Sequence, residues 1–270
     1  MNYTVSSPPQ NAVAIIPARY ASTRLPGKPL LDIAGRPMIL HVLERAIAAR
    51  NVGRAIVATD DQRILDAVMS AGFEAVMTRS DHQSGSDRVA EVAATLNDTV
   101  EVIVNLQGDE PLISPQMIER AVDELLKDDT AQILTTSEEI AEAADVLSAD
   151  VVKVVTDGAG RALYFSRSPI PFPRDAVRRY GTLLAALEIE PLLLATFRKH
   201  TGLYVYRRSF LLEYTRWPQS TLERAESLEQ LRALECGATI RVIEADSPSI
   251  GVDTERDLER VRKIFRNAGY

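Results

Sequence analysis

Between Ala12 and Lys127 the sequence alternates short apolar runs with longer segments of helical periodicity, and this alternation narrows the fold more than any other feature. Ala12–Pro17, Arg54–Thr59, Phe73–Thr78 and Glu101–Leu106 read as strands; Pro37–Arg50, Asp61–Ala71, Asp87–Leu96 and Pro115–Lys127 read as helices. Near-continuous apolar runs belong to strands buried on both faces, and a strand–helix rhythm lays such strands parallel under covering helices. Met38, Ile39, Val42, Leu43, Ala46 and Ile47 keep helical spacing with Pro37 in the opening turn, and Ser114-Pro115 offers a similar helix start. The expectation is an α/β fold with a mostly parallel sheet. In such sheets ligands bind just beyond the carboxyl ends of the strands.

The first of those ends carries charge. After Ala12–Pro17 the string Ile15–Leu30, IIPARYASTRLPGKPL, places Arg19, Arg24 and Lys28 in a short loop containing Gly and Pro. Arginine offers a planar fork to phosphate oxygens and lysine a mobile point charge, so the set suits a triphosphate and its departing pyrophosphate. By charge alone, an ordinary solvated basic loop fits equally well. Gly27-Lys28 does not complete a P-loop, because Ser22 stands where the first glycine belongs and Pro29 where the metal-binding hydroxyl belongs. No GxGxxG follows a strand, which removes the case for a nicotinamide dehydrogenase.

From Ala131 the rhythm changes. Strands Asp150–Thr156 and Ala162–Ser166 flank Asp157-Gly158-Ala159-Gly160-Arg161, a hairpin turn by composition that leaves the core sheet. Pro169, Pro171 and Pro173 punctuate the way to an apolar patch, Leu183–Ala195, whose secondary structure the pattern leaves open and which suggests a partner surface. Gly202–Tyr206 and Thr239–Glu244 then read as strands, and Leu222–Glu235 and Glu255–Phe265 as helices. Ser220 and Glu223 have capping-box spacing, with Leu228, Leu231 and Leu234 on one face.

Composition sets outer limits. The chain has 270 residues, 46% hydrophobic and 26% charged, enough for a sizeable core and ordinary for a soluble enzyme. A net charge of -7 argues against a nucleic-acid partner, which needs an extended basic surface. The lone Cys236 excludes an internal disulfide or a cysteine zinc cluster and fits a reducing, cytoplasmic setting. The polar start MNYTVSSPPQ lacks a secretory pattern, and no apolar run reaches the ~20 residues of a membrane span, so no membrane partner is expected.

Few other residues suggest chemistry. Asp109 in NLQGDEP follows a strand, and Gly108 permits a sharp turn before it; magnesium takes one or two carboxylates beside phosphate oxygens and water. Asp253 in GVDTERD is a second candidate ligand, although an aspartate beside Thr254 at a helix start reads more readily as a cap. In Asp81–Arg88, DHQSGSDR, Ser84, Ser86 and Asp87 compete as the helix cap, while Gln83 and Arg88 are freer to reach a base or phosphate. His41, His82 and His200 are too scattered for a metal triad, and His41 on its helix reads as structural. Glu229 and Gln230 read as solvent-facing.

The strings IIPARYASTRLPGKPL, VATDD, TRSDHQSGSDR, NLQGDEP, VVKVV, ALYFSRSPIP, HTGLY, LEQLR and GVDTERDLERV, in this order, closely resemble the 3-deoxy-manno-octulosonate (Kdo) cytidylyltransferase family from about Val13 to Arg262. Sialate-activating relatives differ in the first loop. The resemblance implies a Rossmann-like, mixed but mostly parallel sheet of the nucleotide-diphospho-sugar transferase type. Residues 1–10 would be a poorly ordered lead-in and 11–270 one domain, with a protruding β-region over about 157–215 used in homodimerisation. It implies transfer of CMP from CTP to the anomeric hydroxyl of Kdo, releasing pyrophosphate, in lipopolysaccharide biosynthesis. The same chemistry on sialic acid or 8-amino-Kdo, and a CTP sensor without turnover, remain alternatives.

Carried over by position, Arg19, Lys28 and Asp109 would be catalytic. Arg19 and Lys28 would grip the triphosphate, and Ala18 and Ser22 would help seat the nucleotide. Gln83, Gly85 and Arg88 would lie near cytosine and the phosphates, and Asp109 and Asp253 would hold Mg²⁺. Gln107, Arg167, His200, Tyr204, Glu229 and Gln230 would form the sugar-acid pocket, Arg167 meeting the carboxylate. Phe172–Lys199 is less family-like, and Arg256 stands where relatives often have Pro, a tolerable change early in a helix.

Overall fold

A computed structural model describes residues 12–21, 25–248 and 250–267. The lead-in 1–10, Ser22 and Arg24 lie outside the described residues. In chain order the elements are β1 (Ala12–Ala18), β2 (Asp32–Ile33), β3 (Arg36–Pro37), α1 (Met38–Ile47), β4 (Val52–Thr59), α2 (Gln62–Ser70), β5 (Glu74–Met77), α3 (Gly85–Ala94), β6 (Val102–Asn105) and α4 (Pro115–Lys127). There follow β7 (Ile133–Glu139), α5 (Ala143–Leu147), β8 (Lys153–Thr156), β9 (Ala162–Ser166), α6 (Arg174–Tyr180), α7 (Leu183–Ile189), β10 (Arg198–Arg207) and α8 (Arg208–Tyr214). The chain ends with α9 (Thr221–Glu226), α10 (Gln230–Glu235), β11 (Ile240–Glu244) and α11 (Glu255–Asn267). The described residues form two compact units, the first drawn from within 12–127, 203–216 and 248–267 and the second from 128–202 and 217–247.

The first unit is the expected α/β core. β1 pairs in parallel with β4 on one side and β6 on the other; β4 pairs in parallel with β5, and residues 204–207 of β10 run antiparallel beside β6. Ala14, Ile15 and Ile16 in β1 have no exposed surface, as a strand covered on both faces requires. α1 buries Met38, Ile39, Val42, Leu43 and Ala46. The competition for the α3 cap resolves on Ser84, whose hydroxyl accepts from the Asp87 N–H while the Asp87 carboxylate accepts from the Ser84 N–H.

The second unit is built differently. β11 pairs in parallel with β7, β8 pairs antiparallel with β9, and β8 touches β10 through Lys153 and Lys199. The expected hairpin turn joins β8 to β9: Gly160 has φ 77°, and the Asp157 carboxylate accepts from the N–H groups of Ala159 and Arg161. The apolar patch 183–195 forms α7, capped by Thr182, and a 3₁₀ turn at Pro191–Thr196. One predicted element is corrected. The helix expected over Leu222–Glu235 is two helices, broken at Ser227, which takes the left-handed conformation at φ 53°, ψ 49°.

Candidate active site

A pocket of about 390 Å³ opens in the first unit, at the carboxyl ends of β1 and β6. Ala18, Arg19 and Lys28 line it from the first loop, Gly85 from the start of α3, Gln107 and Asp109 from the turn after β6, and Asp253 from the turn before α11. Two glycines shape the walls. A Cβ on Gly108 would lie 3.2 Å from the Pro17 carbonyl oxygen and 3.2 Å from Ile39 Cδ1, so the turn after β6 approaches β1 as closely as glycine allows. Gly27, at φ 69°, donates its N–H to the Tyr20 carbonyl at 3.0 Å, folding the loop back so that Lys28 points into the pocket. Arg63 lies over the Tyr20 ring, 3.3 Å from its centroid.

Asp253 is far from Asp109 in sequence, and α11 brings it there. Val252, Leu258, Val261 and Phe265 pack with Leu25, Ile33 and Met38 in one apolar cluster. The Val252 N–H donates to the Asp109 carbonyl at 2.9 Å, tying the two acidic turns together. The α11 cap belongs to Thr254 and Asp257, each bonding the other's backbone N–H, which leaves the Asp253 carboxylate turned to the pocket. The competing reading of Asp253 as a cap is thereby answered.

Lys28 stands between the two acids. Its ammonium pairs with Asp109 Oδ2 and, at 3.1 Å, with Asp253 Oδ1. Burial pulls its pKa down, but the charge of Asp109 and bonds to both carboxylates outweigh that and hold it above the ordinary lysine value. Arg19 is aimed by backbone: one terminal nitrogen donates to the His82 carbonyl at 2.7 Å and the Ser84 carbonyl at 3.4 Å. His82 is itself fixed through Nε2 to Glu91 of α3. Cations and carboxylates therefore converge on one concave site beside a helix N-terminus, which suits a polyphosphate together with a divalent cation. Two carboxylates meeting at a single cation position, with phosphate and water completing the shell, fit magnesium; no cluster of three or more acidic, His or Cys ligands occurs among the described residues.

The remaining expected nucleotide residues divide. Gly85 lines the pocket. Gln83 is exposed and donates to the Asp81 carbonyl, outside the lining. Arg88 departs from the expectation of a free cation: its guanidinium has no exposed surface, pairs with Asp60 at 2.8 Å and bonds Thr78 Oγ1. It braces α3 against the turn after β4 rather than reaching out to a base or phosphate.

Of the expected sugar residues, Gln107 lines the pocket and Tyr204 lies opposite Asn105 across the β10–β6 pair, stacked on Tyr206 with ring centroids 5.8 Å apart. The others belong to the second unit. Arg167 follows β9, and its guanidinium donates to the carbonyls of Glu226 (2.7 Å), Ala149 (2.9 Å) and Ser227 (3.3 Å). The His200 ring meets Thr135 Oγ1 at 2.9 Å and packs edge-on to Phe165, and burial lowers its pKa to about 3, so it is neutral. Gln230 departs from its solvent-facing reading: it is buried, and its side-chain nitrogen has no hydrogen-bond partner among the described residues. Glu229 precedes it, half-buried. The sequence reading missed Asp60, Glu226 and Ser227 as supports. The cation inside the apolar VVKVV run was the only signal for Lys153.

An α/β core with cations and paired acids gathered at its strand ends is the kind of site that suits a nucleotide's phosphates. Residues 13–240 match the cytidylyltransferase family model, and the chain belongs to that family. Within it, the chain is similar to the 3-deoxy-manno-octulosonate cytidylyltransferases of Trichlorobacter lovleyi, 53% identical over 94% of this chain and 98% of the relative, and of Geobacter sulfurreducens, 53% identical over 93% and 98%. A solved structure of CMP:2-keto-3-deoxy-manno-octonic acid synthetase complexed with CTP aligns with TM-score 0.84 at 44% identity, covering 95% of this chain and 99% of that one. A glucose-1-phosphate thymidylyltransferase from Bacillus anthracis, described as putative, shares the fold at TM-score 0.65 and 13% identity.

Proposed function

We propose that this chain transfers CMP from CTP to the anomeric hydroxyl of Kdo, giving CMP-Kdo and pyrophosphate for lipopolysaccharide biosynthesis. The observation that carries the chemistry is the convergence of Lys28, Arg19, Asp109 and Asp253 on one pocket, and the kinship with Kdo cytidylyltransferases supports the choice of sugar. The hydroxyl oxygen attacks the α-phosphorus, the bond to the bridging oxygen of pyrophosphate breaks, and the hydroxyl proton passes to solvent.

Lys28 and Arg19 hold the triphosphate and offset charge on the departing pyrophosphate, while Gly85 and Gly108 let backbone approach the nucleotide. Arg167 takes the sugar carboxylate, and the partnerless side-chain nitrogen of Gln230 takes a sugar oxygen. His200 and Glu229 of the second unit, and Gln107 and Tyr204 of the first, are the further residues proposed to meet the sugar. Asp109 and Asp253 would hold Mg²⁺, which when bound supplies Lewis-acid stabilisation of phosphate charge and lowers the pKa of a coordinated hydroxyl.

No helix of the described residues is long and apolar enough to cross a membrane. Leu163, Phe172, Leu184, Ile189 and Leu192 are exposed apolar side chains of the second unit and support association of two copies.

The test is pyrophosphate release from CTP with Kdo, 8-amino-Kdo or sialic acid, with and without Mg²⁺. Turnover is expected with Kdo and Mg²⁺ and is lost on chelation. CTP binding with no pyrophosphate released from it in the presence of any of the sugars would overturn the proposal.

A further inference from the structure

Two groups that the proposed chemistry does not use converge on Arg167. Lys153 opens β8, and its side chain has no exposed surface. Its ammonium donates to the carbonyls of Ser148 (2.8 Å), Val151 (2.6 Å) and Arg167 (2.6 Å). A buried cation held by backbone dipoles is a costly way to fill a core, and an apolar side chain would serve a purely space-filling role better. What the ammonium supplies is a tie between the Arg167 carbonyl and the turn at 148–151. That same turn accepts the Arg167 guanidinium at Ala149, so both ends of the residue are fastened to it.

The opposite flank is held by Ser227. Its left-handed backbone ends α9, and α10 begins only at Gln230; the conformation is uncommon for a residue other than glycine. The break turns the carbonyls of Glu226 and Ser227 toward the guanidinium instead of into a continuing helix. The Glu226 carboxylate adds a bond from the Arg167 N–H at 2.9 Å and one from the Ser166 hydroxyl at 2.6 Å. Each terminal nitrogen of Arg167 thus makes one backbone bond and keeps one N–H, the fork that a carboxylate takes with both oxygens.

We propose that Lys153 and Ser227 are positioning residues of the acid-sugar site, clamping Arg167 from its carbonyl and its guanidinium so that the two remaining N–H groups receive the sugar carboxylate. This rests on the reading of Arg167 as the carboxylate partner.

Steady-state kinetics of the full chain with CTP and Kdo test it. Lys153→Met raises the KM for Kdo by about tenfold or more and leaves the KM for CTP within about twofold. In an Arg167→Met background the same substitution adds nothing to the KM for Kdo, because no guanidinium remains to be placed. Val154→Ala, at a buried neighbour in β8, lowers thermal stability without moving that KM. Ser227→Val, β-branched in the left-handed region, acts on the KM for Kdo as Lys153→Met does, and Ser227→Gly retains the wild-type value.

Equal shifts of both KM values in Lys153→Met, no shift of either, or a full additional effect in the Arg167→Met background overturns the clamp. If Arg167→Met itself leaves the KM for Kdo unchanged, the fault lies in the reading of Arg167. Should Lys153→Met fail to fold, the Ser227 pair decides: identical KM values for Kdo in Ser227→Val and Ser227→Gly overturn the proposal.

Discussion

Lys28 and Lys153 are both drawn away from water, and the two regions that hold them treat the charge in opposite ways. Around Lys28 the partners are carboxylates on side chains, and the Asp253 side chain is 50% exposed. Around Lys153 the partners are carbonyls fixed by the chain itself, and the lysine side chain has no exposed surface. Side-chain ion pairs near solvent exchange partners at little net cost, because each charge finds water or another ion. Backbone carbonyls have no such freedom, and stripping one of its donor in the interior leaves it unsatisfied. On the proposed reaction a triphosphate and a cation enter the first region, and Lys28 would trade carboxylate for phosphate. The second region holds one arginine still.

The comparison is broken most decisively at Asp109. If the acid pair acts on the reacting phosphates and not on the fold, Asp109→Asn loses about 10³-fold in turnover while its unfolding midpoint stays close to wild type, as activity and denaturation curves on one preparation would show. A matched loss of both would make Asp109 a structural partner of Lys28.

The lysines themselves sharpen it next. Lys153→Met strands three carbonyls and is expected to cost about 3 kcal/mol, read as lost hydrogen-exchange protection over residues 148–168. Lys28→Met should stay within about 1 kcal/mol of wild type, since its partners are reached by water, yet lose most turnover. The reverse order of stabilities would undo the distinction.

How far the sequence reveals these regions follows the same line. β1 and its loop are legible because everything that matters is local: an apolar run, then cations, then Gly27 where the chain folds back on Tyr20. The cap at Ser220 is legible for the same reason, while Ser84 is legible only as one of three candidates with Ser86 and Asp87. Asp253 is not, because its place beside Lys28 depends on α11 docking through Val252, Leu258 and Val261 and on one backbone bond to Asp109. Family resemblance pointed to it; spacing alone favoured a cap.

Arg88 misleads because its partners, Asp60 and Thr78, come from other turns, and a cation beside a polar loop looks free until they are placed. The break at Ser227 carries neither Gly nor Pro, and the leucine spacing of 228, 231 and 234 runs past it. β7 escapes notice because ILTTSEE lacks strand-like apolarity. Its Thr135 and Thr136 are buried only because the side chains of His200 and Thr201 take up their hydroxyls.

A smaller effect is expected at Gly108. A methyl there meets the Pro17 carbonyl oxygen at 3.2 Å, tighter than ordinary contact, so Gly108→Ala must push the turn carrying Asp109 away from β1. About 1–2 kcal/mol of stability and a several-fold rise in the KM for CTP are expected, with the KM for Kdo less affected. An unchanged KM for CTP would mean that the pocket wall yields more readily than the close approach implies.

The mildest test concerns His200, the titratable side chain of the second unit that burial holds neutral. Its folded pKa lies at about 3, below the ordinary 6.5, so above pH 6.5 neither folded nor unfolded chain carries the proton and the group adds no pH dependence. As pH falls from 6.5 the unfolded chain binds a proton that the folded chain refuses, and stability declines until the folded pKa is reached, by at most about 1.4 kcal/mol per pH unit. Between pH 6.5 and 5 ordinary carboxylates are still ionised, and the difference between wild type and a His200 variant separates this histidine from His41 and His82. Denaturation midpoints should fall across this window in the wild type and run flatter in His200→Gln, whose amide can still meet Thr135. If the two slopes coincide, His200 is reached by water, and the tightness assigned to the second region stops short of β10.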